Sequence, residues 1–116
     1  MEIHDQMMGA AQYALRGLAE RADVRAHNVA NVNTPGFRAE RVDFESTLRG
    51  ALARDDVAAA ARPIRTVDPN LPGPNGNTVS LEGEMTGMLK DNLMRDALVN
   101  AYNWKAGLLR DAINSR

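Results

Sequence analysis

The chain has 116 residues and a mass of 12.6 kDa, the size of a single domain, which argues against a multidomain enzyme. Fourteen basic and fifteen acidic side chains leave a formal net charge of -1, so nothing electrostatic calls for nucleic acid or an anionic membrane as the main partner. Cysteine is absent, which excludes disulfides, thiolate metal sites and thiol nucleophiles, and aromatic residues are only 4%, so a compact core is short of material, as in a component of a larger assembly.

From Gln6 to Val32 there is no proline, and Met8, Ala11, Leu15, Leu18, Ala22, Arg25, Val29 and Val32 alternate spacings of three and four. That pattern predicts a helix over 6–32 with a coiled-coil-like seam, in which Arg25 is the one polar member and requires an anionic neighbour. The sequence does not name that neighbour. Asn31-Val32-Asn33-Thr34-Pro35-Gly36 then ends the helix. Its asparagines tolerate a left-handed backbone, proline fixes φ at the second position of a turn, and glycine takes the positive φ of the third. Thr34-Pro35-Gly36-Phe37 therefore reads as a type II turn.

Beyond the turn, Arg38 to Val42 reads as extended, and Asp43 can cap a short helix from Phe44 to about Arg54 that places Phe44, Leu48 and Leu52 on one face. The alanines at 58–61 are expected to prolong it. Residues 62–79 hold Pro63, Pro69, Pro72 and Pro74 with Gly73 and Gly76, the composition of an exposed loop. Within it, Asn75-Gly76 suggests a small hairpin with Ile64 to Val67 and Thr78 to Val79 as its arms.

A second long helix is predicted over 80–114, with Ser80 as its cap and Glu82 and Glu84 in the first turn. Leu81, Met85, Leu89, Leu93, Ala97, Ala101, Lys105, Leu109 and Ile113 recur every fourth residue, and Met88, Val99, Tyr102, Ala106 and Leu108 widen the stripe enough to meet more than one neighbour. Tyr102 and Trp104 lie on different faces, so one can enter the helix pair while the other remains outside. The expected fold is all-α: one unit, 1–116, in which two long terminal helices pair across a turn and short helix (33–61) and a loop (62–79).

No catalytic constellation emerges. His4 and His27 lack metal-ligand spacing, and Glu82 and Glu84 point about 200° apart on a helix. Pro72-Gly73-Pro74-Asn75-Gly76 lacks the Gly-Lys-Ser/Thr ending of a phosphate loop, and the twelve arginines are spread among acids rather than gathered into a patch. No catalytic residue, cofactor, metal, nucleic acid or small-molecule substrate is expected. No stretch approaches the length of about 20 apolar residues that spans a bilayer, and the first residues carry no basic segment followed by an apolar one, so neither membrane insertion nor a cleaved secretory signal is expected.

Asn28-Val29-Ala30-Asn31-Val32-Asn33-Thr34-Pro35-Gly36-Phe37-Arg38 resembles the N-terminal signature of bacterial flagellar rod and hook proteins, an Asn-x-Ala-Asn-x-x-Thr-x-Gly-Phe pattern that closes their first helix. Val42-Asp43-Phe44 after the turn, and Gly76-Asn77-Thr78-Val79-Ser80-Leu81-Glu82-Gly83-Glu84-Met85 opening the last helix, are similar to segments of the proximal rod members of that family. The resemblance implies a non-enzymatic subunit of the flagellar basal-body rod. Its motif residues are Asn28, Ala30, Asn31, Thr34, Pro35, Gly36 and Phe37, and its assembly seam is Met8, Ala11, Leu15, Leu18, Ala22, Val29, Met85, Leu89, Leu93, Leu109 and Ile113. It further implies association with itself and with other proximal rod and basal-body proteins, and passage uncleaved through the flagellar type III export apparatus. A soluble coiled-coil adaptor or export chaperone is the competing class, and would be a stable folded dimer in isolation.

Overall fold

A computed structural model describes residues 2–115, with side chains from Gln6 to Ser115; the His4 side chain lies outside those described. Two helices dominate, α1 (Glu2–Ala30) and, at the other end of the chain, α3 (Leu81–Asn114). Between them come β1 (Glu40–Asp43), α2 (Glu45–Ala53), one turn of 3-10 helix (Val57–Ala59) and β2 (Ile64–Val67). At about 1.5 Å per residue α1 is about 44 Å long and α3 about 51 Å, and they pair antiparallel in a body of 67 × 26 × 14 Å. The radius of gyration, 17.8 Å, exceeds the roughly 13 Å of a compact domain this size.

The core is small and sits where the middle segment folds onto α1. Tyr13, Ala14 and Leu18 of α1 surround Phe44 and Val57, with Ala10, Leu48, Ala60 and Leu98 packed around them. Phe44 reaches α1 because residue 17 is glycine: a Cβ there would lie 2.4–2.7 Å from the ring. The Tyr13 hydroxyl donates to the Ala61 carbonyl at 2.6 Å, tying down the chain after the 3-10 turn.

The turn after α1 forms as expected, with the Phe37 N–H bonded to the Thr34 carbonyl at 3.2 Å and Gly36 at φ +73°. The asparagines do not adopt positive φ; among the described residues only Gly36, Gly76 and Asp55 do. They act as hydrogen-bonding groups instead. Asn31 Nδ2 donates to the His27 carbonyl at the helix end, and its Oδ1 accepts from the Thr34 hydroxyl. Asp55, at φ +52°, stops α2 before the alanine run, which explains why residues 58–61 do not prolong that helix.

The fold is mostly helical but not all-α. β1 and β2 form a two-stranded antiparallel sheet with Glu40 opposite Val67 and Asp43 opposite Ile64. Ile64 to Val67 is thus a strand, but its partner is β1 rather than Thr78 to Val79. The Asn75-Gly76 turn is used otherwise: Gly73 N–H bonds the Asn77 carbonyl, Gly36 N–H bonds the Asn75 carbonyl, and Gly76 sits against the backbone of Gly36. Nor is the whole of 62–79 an exposed loop. Asp68, Asn77 and Thr78 are buried, and Asn77 Nδ2 donates to the carbonyls of Asn31 (2.8 Å) and Thr34 (2.7 Å) while Thr78 bonds both Phe37 and Ala39.

Asp43 caps α2 from one residue before it, its carboxylate accepting the Ser46 N–H at 3.0 Å and the Ser46 hydroxyl at 2.5 Å. The Ser46 hydroxyl first, and its N–H second, hold the Asp43 carboxyl below the ordinary carboxylate range. The folded pKa being depressed, this contribution is present above the unfolded value and is lost as pH falls through the folded one. In an acid titration, amide exchange at the start of α2 is expected to speed up at a pH below the ordinary range for aspartate. Ser46→Ala should move that step upward, and an unmoved step would remove Asp43 as the cap.

Candidate functional site

Along the seam read from spacing, Leu18 is buried, Met8, Ala11, Leu15 and Val29 are half-buried and Ala22 is exposed. The most buried line of α1 is Tyr13, Ala14, Gly17, Leu18, Val24 and Asn28, because Phe44, Val57 and β1 pack on that side of the helix as well.

Towards the turn, the junction of the two long helices is polar. Arg21, Arg25 and Asn28 lie at spacings of four and three on one face of α1, and Glu84 and Asp91, a heptad apart, share a face of α3. Arg25 Nε donates to Asp91 Oδ2 at 2.8 Å and Nη1 lies 3.6 Å from Glu84 Oε2. Here is the anionic neighbour that the α1 pattern required. Arg21 Nη1 donates to the other Asp91 oxygen at 3.3 Å, while its Nε and Nη2 bond the Val42 carbonyl and Nη2 also bonds Glu45. Its guanidinium lies 4.5 Å over the Phe44 ring. Burial disfavours the charged form of Arg21, yet the bonds and charges of Glu45 and Asp91 together hold its pKa above the ordinary value.

Asn28 is fully buried, its Oδ1 accepting the Glu40 N–H at 3.1 Å and its Nδ2 donating to the Glu40 carbonyl at 2.9 Å and to Glu84 Oε1 at 3.3 Å. One side chain thus joins α1, β1 and α3. Glu84 lies in the first turn of α3, as sequence position suggests, and is in addition buried in this network, while Ser80 is the cap, its Oγ accepting the Gly83 N–H at 3.1 Å. Gly87 makes the arrangement possible, since a Cβ there would stand 2.3–2.5 Å from the Arg25 guanidinium.

Of the motif residues, Asn28, Asn31 and Thr34 enter this network and the turn, Gly36 supplies positive φ, Ala30 and Pro35 are exposed, and half-buried Phe37 meets the His27 ring edge-on at 5.5 Å. The α3 seam residues divide. Leu109 is half-buried, whereas Met85, Leu89 and Leu93 face away and are 61–64% exposed; Ile113, one turn beyond Leu109 on the same side, is 71% exposed near the end of α3. Leu81, Trp104 and Leu108 are exposed as well. Tyr102 is the aromatic that enters the pair, its hydroxyl accepting from Gln12 Nε2 at 3.1 Å, and Trp104 stays outside. Among the described residues no group of three or more His, Asp or Glu side chains could hold a metal ion, and no helix is long and apolar enough to cross a membrane.

Long terminal helices closed by an asparagine-built turn leave a row of large apolar side chains on α3 uncovered, as in a structural subunit that packs against neighbours. Residues 8–38 match the family described as flagella basal body rod protein. The chain is 29% identical to the flagellar basal body rod protein FlgB of Aeromonas hydrophila, over 91% of this chain and 92% of that protein. It is 30% identical to FlgB of Yersinia enterocolitica, over 77% and 82%, and 26% identical to FlgB of Bacillus subtilis, over 85% and 89%. The chain belongs to the FlgB family of flagellar basal body rod proteins. It is a structural rod subunit rather than an enzyme, and its place is the flagellar basal body among other rod components. Family membership decides for this reading over an adaptor or chaperone.

Proposed function

We propose that the chain is a proximal rod subunit that packs against its neighbours through the outward row of α3: Leu81, Met85, Leu89 and Leu93, continued by Trp104 and Leu108. The observation that carries this reading is the exposure of that row, 44–64% at each of these residues, on a helix whose other face already meets α1. Isolated soluble chains rarely leave so long an apolar stripe uncovered. The occupant is another rod subunit, this chain's own copies included, because the family is one of rod proteins. The buried members of the seam, Leu18 foremost, hold the subunit together, and the whole of 1–116 acts as one unit. Arrival through the flagellar export apparatus without cleavage belongs to the same proposal and rests on the family alone.

The test pairs two classes of variant in a strain lacking the native subunit. Leu89→Asp and Leu93→Asp should leave the free chain within about 0.5 kcal/mol of its native stability, since both sites are exposed, yet abolish rod incorporation and swimming. Leu18→Asp, at a 3% exposed site, should lower stability itself. Normal incorporation of the two α3 variants would overturn the reading.

A further inference from the structure

The first three turns of α3 are amphipathic in reverse. Glu84 and Asp91 point inward to α1, while Leu81, Met85, Leu89 and Leu93 point to solvent. At about 100° per residue the two lines are separated by roughly a third of a turn. Hydrophobic burial alone favours the opposite orientation, with the leucines against Val24 and its neighbours on α1. The distal half of α3 does not choose between the two, because it carries large apolar side chains on both sides: Leu98, Tyr102 and Leu109 inward, Trp104 and Leu108 outward.

What opposes the inward turn is the polar junction. Rotating α3 would strip Arg25 of both its anionic partners, take Asp91 from Arg21 and Glu84 from Asn28, and leave charges stranded in a poorly solvated place. It would also move Gly87 away from the guanidinium and bring in side chains with a Cβ. A buried ionic group that contributes little net stability can still select one arrangement over another.

We propose that Arg25, Glu84 and Asp91, seated over Gly87, form an orientation clasp that keeps the apolar row of α3 facing outward and so prevents the subunit from covering it with its own α1. The functional meaning of the clasp rests on reading that row as the assembly face; its existence does not. The clasp acts by exclusion: neutralise it and α3 turns its leucines inward.

The absence of cysteine makes this measurable on the full, free chain by maleimide labelling of single thiols. Leu93→Cys reports the outward face and Met88→Cys, at a half-buried position, the inward one. With the native clasp, the thiol at position 93 should react roughly tenfold faster than that at 88, as protection by packing dictates. Each reporter is then combined with Arg25→Gln, Glu84→Gln and Asp91→Asn together, which leaves Arg21 its bonds to Glu45 and Val42. In that background position 93 should become the slower of the two, with helicity by circular dichroism retained.

A second variant, Gly87→Ala, keeps every charge and raises helix propensity, but its Cβ evicts Arg25 from its seat. It should slow labelling at 93 in the same direction. Unchanged labelling in both backgrounds would overturn the clasp. So would fast labelling at both positions, which would mean that the network only holds the helices together. A Leu93→Asp chain that assembles normally would sink the assembly reading and leave the labelling result standing.

Discussion

Phe44→Ala is expected to be the most damaging truncation in the chain, costing about 3–5 kcal/mol, the usual range for removing a buried aromatic ring. The ring is 1% exposed and is the largest fully buried side chain. It is gripped by Tyr13, Ala14, Leu18 and Val57, and lies beneath the Arg21 guanidinium. A chain of this size has only about 5–15 kcal/mol in all, and many of its other large apolar residues are exposed. A urea titration should show the midpoint falling with the slope unchanged. Gly17→Ala approaches the same core from the other side, inserting a methyl within 2.4–2.7 Å of the ring, and should also destabilise by overpacking, about 1–3 kcal/mol. A loss below about 1 kcal/mol for Phe44→Ala would show that the middle segment is not held to α1 through this residue.

Asn28→Ala is expected to follow, at about 1–3 kcal/mol for each buried group left without its partner. The Asn28 amide serves more than its own helix: it closes a two-way bond with the Glu40 backbone and reaches Glu84 across the junction. Its loss should therefore be read at three places at once, as faster amide exchange at Glu40, at the end of α1 and at the start of α3. Asn28→Asp, nearly the same shape, should do no better. It keeps an acceptor for the Glu40 N–H, loses the donor to the Glu40 carbonyl, and sets a second carboxylate beside Glu84. If Asn28→Asp were as stable as the native chain, the bond to Glu84 would carry no weight.

These two residues mark what could and could not be seen along the sequence. The turn at 34–37 was legible because its chemistry is local: proline and glycine set two consecutive backbone angles and the closing bond spans three residues. Asn28 belonged to a recognisable motif, but its work is done on Glu40 and Glu84, and nothing in its own neighbourhood points there. The same holds for Arg25, whose need for an anion was evident although Asp91 lies 66 positions away. Gly17 and Gly87 carried no local signal, since each is required by a side chain from another element, Phe44 and Arg25 respectively. Periodicity showed two wide apolar stripes. It could not say which edge of each would meet the other, because Phe44 and the charged groups, not the leucines, settle the rotation. Asn75-Gly76 is a strong local turn signal that points to Thr78 to Val79 as the partner of β2, whereas the fold uses it to bind Gly36 and pairs β2 with β1.

Phe37 and Thr78 are joined by a bond from the Thr78 N–H to the Phe37 carbonyl at 3.0 Å, and Asn77 fastens the same point to the end of α1. Everything from 38 to 77 is consequently an excursion that departs from and returns to one place, with its gate stitched shut at the base. That gate fixes where α1 ends and α3 begins, while the segment inside it supplies Phe44 and Val57 to the core. Material inside it away from those contacts can lengthen or shorten without altering the distance between the end of α1 and the beginning of α3, provided that Phe44 still reaches α1 and Asn28 still finds the Glu40 backbone. The two long helices and the segment that leaves and rejoins them are thus tied at a single knot.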